Sequence, residues 1–340
     1  MSTPTPALAL AADLAAGLGQ VEHVQGSLTV TIAGHVLTAD SARDLRQVLS
    51  GHLYNHWHTR LGQDEDTTTR FYRDLPFERR LAAHTPVHTT QRAATLLPDR
   101  AVEDDEHSDR VVLVLLDGVR VGMPRASILE QREQAVLLTA PAARPSLSPG
   151  FWLVDGSRGR FLSGRAPLRV YLSIPEMDSA PRVWQTALQA LEAGGHRYRA
   201  KVGSSARLYP RTDACVVYLD GGSPTTDDPD GPVGALLAAL RDCPGLGDTT
   251  SVFTHTLAPG IAVAREPVDP RPGMAGMSFG QHRCHAVATG IIDTTAGVDL
   301  AARVRAALLA AAVDPGDPAR NTSLPAAAGR DSLGLDGGGA

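Results

Sequence analysis

The chain of 340 residues almost lacks lysine: it has one, Lys201, beside 31 arginines. Arginine replaces lysine for surface charge and for binding phosphate. It cannot replace it as a proton acceptor, because guanidinium stays charged whereas an ammonium can give up its proton when its pKa is depressed. Together with abundant Ala, Gly and Pro and aromatics at only 4%, the scarcity reads as the imprint of a GC-rich genome, but that bias does not explain where the one lysine stayed. Cysteine is also sparse. Three residues, Cys215, Cys243 and Cys284, make a disulfide framework an unsuitable reading and a reducing, cytoplasmic compartment the expectation. Positive charge is not in excess: the net charge of −5 argues against nucleic acid as a partner. No apolar run approaches the roughly 18 residues that span a bilayer, so no membrane partner is expected. The first 19 residues carry Asp13 and no basic segment, and they read as an amphipathic helix rather than a signal peptide. A G-x-S-x-G elbow, a P-loop and a dinucleotide fingerprint are all missing. The H-x-C-H run around Cys284 does not have zinc-ligand spacing. Neither a metal nor a cofactor is expected.

What is present suits a packed α+β protein. At 43% hydrophobic and 20% charged the chain can bury a core, and its length allows one large domain or two ordinary ones. Residues 1–95 read as a mainly helical region with a short extended piece at 27–36. Within it Leu45, Leu49, Leu53 and Trp57 share a helix face. His56 and His58 lie two apart and cannot share a helix face, so they are left at the flanks of that stripe. Residues 96–165 read as β-rich, after a polar loop at 95–108, with a buried strand at 111–116 and a turn at Asp117-Gly118. Residues 166–314 alternate strand and helix: strands at 167–174, 196–202 and 213–219, a helix at 181–193 stopped by Gly194-Gly195, a solvated loop at 220–232, an extended piece at 252–263 broken at Pro259-Gly260, and helices at 278–291 and 298–312. The Gly/Ala/Pro-rich tail, 315–340, reads as disordered.

The informative residues lie on the strands. Side chains two apart share a strand face, so Arg199 and Lys201 fall together, as do Arg169, Tyr171 and Ser173. If the two strands are neighbours joined through the intervening helix, these polar faces converge. Arg211 follows in the run into the third strand. Ser278 is a candidate N-cap for a helix whose first turn carries His282 and Arg283, a suitable place for an anion. Arginines hold a phosphate dianion by forked hydrogen bonds. A lysine among arginines and out of water gives up its proton more readily, which suits a general base. A base beside a phosphate clamp points to elimination: lysine takes the α-proton of phosphoserine or phosphothreonine, and phosphate leaves the β-carbon.

At these residues the sequence resembles a known family. The run RVYLSI, a helix, then HRYRAKVGSSARLYPRTDACVVYL, and later SFGQHRCHAVATG, is similar to the HopA-type effector domain, which includes the LanY-type lyases of class V lanthipeptide and thioamitide pathways. The resemblance is firmest over 166–290 and looser over 45–165. It implies a fold like that of the phosphothreonine lyases. The implied activity is elimination of phosphate from a phosphorylated precursor (leader–core) peptide, giving dehydroalanine or dehydrobutyrine. The implied partners are that peptide and a pathway Ser/Thr kinase of aminoglycoside-phosphotransferase type, with a cyclase as a further candidate. Lys201 matches the family's strand lysine, the base. Arg169, Arg199, Arg211 and Arg283 are then the phosphate- and substrate-binding candidates. The related OspF-type lyases use a histidine acid from the strand that here carries Arg169 and Tyr171. This chain has no histidine on that strand, which leaves Tyr171 and His282 as candidates for the acid. The competing reading is an adaptor that binds the precursor or its kinase without chemistry. It would tolerate Lys201→Arg, which a lyase would not. A host-directed effector is disfavoured by the lack of a Ser-rich secretion segment.

Overall fold

The protein, described here from a computed structural model, is defined over residues 9–61, 73–98, 111–145, 147–161, 166–220, 228 and 230–322. The loops expected at 99–108 and 221–227 and the tail beyond 322 lie outside the described residues. Among the described residues, three antiparallel sheets and seven α-helices give the expected α+β class. In chain order the elements begin with α1 (Ala12–Leu18), β1 (Val21–His23), β2 (Thr29–Ile32), β3 (His35–Thr38), α2 (Ala42–Leu53) and α3 (Leu75–Ala83). Next come β4 (Thr89–Leu96), β5 (Val111–Leu116), β6 (Val119–Pro124), β7 (Ile128–Arg132), β8 (Ala135–Pro141), β9 (Phe151–Asp155) and β10 (Leu168–Ile174). The remainder is α4 (Ala180–Ala193), β11 (Tyr198–Gly203), β12 (Arg211–Leu219), α5 (Pro232–Leu240), β13 (His255–Ala258), β14 (Ile261–Arg265), α6 (Phe279–Ile291) and α7 (Leu300–Ala310). Among the described residues no helix is long and apolar enough to cross a membrane.

The centre is a six-stranded sheet in the order β13-β14-β10-β12-β11-β9. β10 is buried at every position, because helices cover both faces of the sheet. One face, with Val170, Leu172, Ala200, Val202 and Val217, packs under α3, α4 and α5. On α4, Trp184, Leu188 and Leu191 recur at helical spacing and are fully buried, and the Trp184 Nε1–H donates to Thr85 Oγ1 at 2.9 Å, so the indole enters the core without an orphaned donor. Gly195, at φ +63°, then reverses the chain. The other face, with Tyr171, Val216 and Ala264, packs under α2, α6 and α7 and the N-terminal three-stranded sheet.

The strands on either side of α4 are not neighbours, which differs from the sequence expectation. β12 lies between β10 and β11 and is antiparallel to both, so β10 and β11 run parallel with one strand between them. A helix about 10 Å across spans roughly two strand spacings of about 4.8 Å, so the crossover leaves a slot, and β12 fills it.

Two more differences concern the ends. The N-terminal region holds a complete β1-β2-β3 meander where one extended piece was expected; its β2–β3 turn, Ala33-Gly34, has φ of 49° and 85°, the paired positive values of a tight hairpin. Residues 315–322 are packed against the fold: Val313 bridges Asn321, and Arg283 holds the Pro318 carbonyl. The expected disorder from 315 is corrected for 315–322, because a buried arginine needs those acceptors. The middle region is a five-stranded sheet, β6-β5-β4-β8-β7, which recruits β4 from the segment read as helical and gives up β9 to the central sheet. The Asp117-Gly118 turn is where the sequence placed it, with both residues at positive φ.

Candidate active site

The second face of the central sheet is polar where its strands meet α2 and α6. Register aligns Arg169, Tyr218 and Arg199 in one cross-strand row, and Tyr171, Val216 and Lys201 in the next. The expected polar faces therefore converge across β12, one strand farther apart than direct neighbours. β12 also adds two charges of its own. Opposite Leu172 and Ile174 of β10 stand Cys215 and Arg211, so the β12 side carries extra residues there. Ala214 and Cys215 both enter the α4-side core. Strict alternation would put Asp213 on the side of Cys215; the bulge resets the face, and Asp213 and Arg211 meet Tyr54 and His58 beneath α2.

At that meeting a buried ion pair, a tyrosine hydroxyl and an imidazole come together. Arg211 donates from Nε and Nη2 to the two oxygens of Asp213 at 2.7 and 2.9 Å, and from Nη2 to the Tyr54 hydroxyl at 3.1 Å. Burial alone would raise the Asp213 carboxyl, but the Arg211 guanidinium outweighs it and holds the group at about 2. His58 Nε2 lies 3.8 Å from Asp213 Oδ2, and His58 Nδ1 shares a hydrogen bond of 2.9 Å with Ser251 Oγ. Burial pulls the His58 pKa down to about 4; Asp213 opposes this, while Arg211, Arg169 and Lys201 add to it. Lys201 is thus close enough for its charge to act on both His58 and Asp213. It is half-buried, with Nζ 4.2 Å from the centre of the Phe151 ring. The Tyr171 ring stands edge-on to His58 with centroids 5.8 Å apart; its hydroxyl is buried without a hydrogen bond of good geometry, and burial pushes its pKa up.

His58 reaches this place because α2 does not end at Leu53. It continues as a π-helical turn, Tyr54–His58, where Thr59 N–H donates to the Tyr54 carbonyl and Thr212 Oγ1 bonds the His58 carbonyl. The wider turn points Trp57 into the N-terminal core and His58 at β12. The helix facing it carries Gly280, where a Cβ would collide with the His58 ring. Spacing arithmetic for a regular helix left both histidines of NHWH at the flanks; a π-turn changes the angle per residue, so that arithmetic does not apply.

The other sequence-derived candidates are brought to the same face but into different bonds. Arg169 forks onto Glu266, both contacts at 2.5 Å, and lies over the Tyr218 ring. Arg199 forks onto Asp155 at 2.6 and 3.0 Å; that fully buried carboxylate also faces Arg92 and Arg144. Ser278 is the expected N-cap, in a complete capping box with Gln281. The first turn of α6 does not present an open anion site, however. His282 is clamped between Asp269 Oδ2, at 2.9 Å, and Arg283, at 2.7 Å, and burial lowers its pKa to about 4. Arg283 is fully buried, bound to the Pro318 carbonyl and the Asn321 side chain, and stacked on Phe279. Cys215 and Cys284 are buried free thiols. Among the described residues no group of three His, Cys, Asp or Glu side chains is placed to hold a metal ion.

A cleft of about 320 Å³ opens beside the cluster, lined by Thr59, Arg60, Ser173, Arg211, Thr212 and the 246–249 loop. Sequence reasoning did not single out His58, Tyr54, Asp213 or Arg60. Asp213 was visible two residues after Arg211; the others depend on the π-turn.

Residues 142–320 match the model of the HopA1 effector protein family. The matched stretch holds the whole central sheet, with Lys201, Arg211 and Asp213, but not the turn with His58 and Arg60. Two solved structures are similar. The effector protein from Pseudomonas syringae pv. tomato strain DC3000 is 15% identical, with a TM-score of 0.47 over 84% of this chain and 92% of that one. The effector protein from Pseudomonas syringae pv. syringae strain 61 is 13% identical, with a TM-score of 0.42 over 84% of this chain and 99% of that one. No curated protein sequence matches this chain.

Proposed function

We propose that this chain, which belongs to the HopA1 effector protein family, is a phosphoserine/phosphothreonine lyase. Its substrate is a phosphorylated ribosomal precursor peptide, supplied in the cytoplasm by a partner kinase and passed on to a cyclase, and its products are dehydroalanine or dehydrobutyrine and phosphate. One observation supports this above the others: the chain's single lysine shares a polar sheet face with a buried cluster of His58, Asp213 and Arg211, near enough for its charge to act on His58 and Asp213, and Arg211 of that cluster lines a cleft.

In this reading Lys201 takes the α-proton of the phosphorylated residue. The C–H electrons form the Cα=Cβ bond, and the Cβ–O bond breaks with its electrons leaving on phosphate. Of the four candidate arginines, only Arg211 lines the cleft. With Nε and Nη2 committed to Asp213 and Tyr54, its remaining edge is Nη1. Arg169, Arg199 and Arg283 hold the sheet's charges in place from their own ion pairs and carbonyls. The acid role, for which Tyr171 and His282 were the candidates from sequence, falls to His58. Burial and three cations favour its neutral form; a phosphate dianion offsets those cations and favours the protonated ring, which then protonates the leaving phosphate oxygen. Tyr171 packs against His58 and fixes its plane.

The test is mass spectrometry of a phosphoserine peptide incubated with the protein in EDTA, wild type beside Lys201→Arg. Loss of about 98 Da by wild type alone, with the variant slowed at least about 10²-fold, is the expected outcome for a lost general base. An adaptor would leave the peptide unchanged with both proteins. That second reading draws on the exposed aliphatic row of β5, Val111, Leu113 and Leu115, which suits a protein or peptide surface.

A further inference from the structure

We propose that Arg60 is the residue that grips the substrate phosphate; this rests on the reading that the site takes a phosphorylated peptide. Two guanidinium groups line the cleft, Arg60 and Arg211. Arg211 spends its fork on Asp213, and the remaining candidates are forked onto Glu266 and Asp155 or bound to carbonyls. A dianion entering a site whose arginines are already neutralised gains little from them, since an ion pair in place must be broken to make a new one. Arg60 is exposed and has no carboxylate partner among the described residues. Asp248 also lines the cleft but is exposed to water, where its repulsion is screened.

The backbone supports the assignment independently. Arg60 follows the last residue of the π-turn's cap, with φ at 54°, and Leu61 N–H returns to the Asn55 carbonyl at 2.9 Å. This is a left-handed helix cap, a position that ordinarily goes to glycine because a side chain there is strained. A chain with 33 glycines nevertheless places an arginine at it, and the cap aims that residue at the cleft two residues beyond His58. One short turn thus delivers both the imidazole and a guanidinium with no carboxylate partner among the described residues, and that guanidinium forks onto phosphate oxygens as a bidentate donor.

The experiment is fluorescence anisotropy of a labelled phosphoserine peptide and its unphosphorylated twin, in a Lys201→Arg background that preserves the ligand. Arg60→Gln is expected to weaken the phosphopeptide about ten-fold or more, leaving the twin unchanged. Arg60→Gly, which suits the backbone, should lose affinity equally while raising the melting temperature, and Arg60→Lys should restore part of the binding. Unchanged phosphopeptide affinity in Arg60→Gln, or a parent protein that binds both peptides alike, overturns the proposal. Phosphate-dependent binding through Arg60 without elimination by wild type would sink the lyase reading and leave this one standing.

Discussion

The two faces of the central sheet are both covered by helices but built from opposite chemistry. Under α4 the sheet presents Val170, Leu172, Ala200 and Val202 to Trp184 and Leu188, and the strands themselves contribute no charged side chain to that core cluster. Under α2 and α6 it presents Arg169, Arg199, Lys201, Arg211 and Asp213. Burying a charge is costly unless it is paired and hydrogen-bonded, and four of these five are: each arginine forks onto a carboxylate, and Asp213 receives one. Lys201 is the exception, with an aromatic ring against it and, among the described residues, no carboxylate within ion-pair distance. The first face holds the fold together through area; the second places charges in a partly buried layer where water screens them less than at the surface, which costs stability.

The comparison can be broken most sharply at Lys201. Replacement by Arg should cost at least about 10²-fold in elimination rate while the melting temperature stays near that of wild type, since the face keeps its charge. An equal loss in both quantities would mean that the lysine belongs to the scaffold. On the opposite face Trp184→Ala should lower unfolding free energy by about 3–5 kcal/mol, measured by urea denaturation, and it also removes the donor to the Thr85 hydroxyl.

Acid should separate the faces as well. The folded pKa values of His58 and His282 are held near 4, below the ordinary 6.5. The unfolded chain therefore binds more protons between those values, and stability is full above pH 6.5 and lost as pH falls towards 4, by on the order of 3 kcal/mol for each histidine. Melting curves from pH 7 to 4.5 should show this slope, and His282→Gln should flatten it. A wild type whose melting point does not move across that range would contradict the burial of both rings. The smallest effect is expected at the contact between layers: Gly280→Ala should cost about 1–3 kcal/mol of stability through overpacking, and it should slow elimination by moving His58. A variant that melts early but reacts at the normal rate would remove His58 from the chemistry.

Strands, helices and their faces were largely legible. Trp184, Leu188 and Leu191 at helical spacing, Gly194-Gly195 after them, the Asp117-Gly118 turn and the Ser278 cap each follow from local rules, because a side chain's period or a turn's φ is set by a few neighbouring residues. Lys201 stood out for the same kind of reason: it is one residue type with one usable proton chemistry in a chain that otherwise avoids it. The site around it was only half legible. Arg169, Tyr171, Arg199 and Lys201 were placed on a common face, but which arginines were already spent on Glu266 and Asp155 depends on partners 97 and 44 residues away.

By itself, then, the sequence determined the alternation that gives the central strands one polar and one apolar face, and it singled out the lysine. Tertiary structure decided what those residues can do. The insertion of β12 between β10 and β11, the bulge that turns Asp213 towards α2, and the π-turn that delivers His58 and Arg60 are all outcomes of packing between elements distant in the chain. Hydrogen-bond partnership and burial set whether a charge is neutralised or available, and both are properties of the assembled layers.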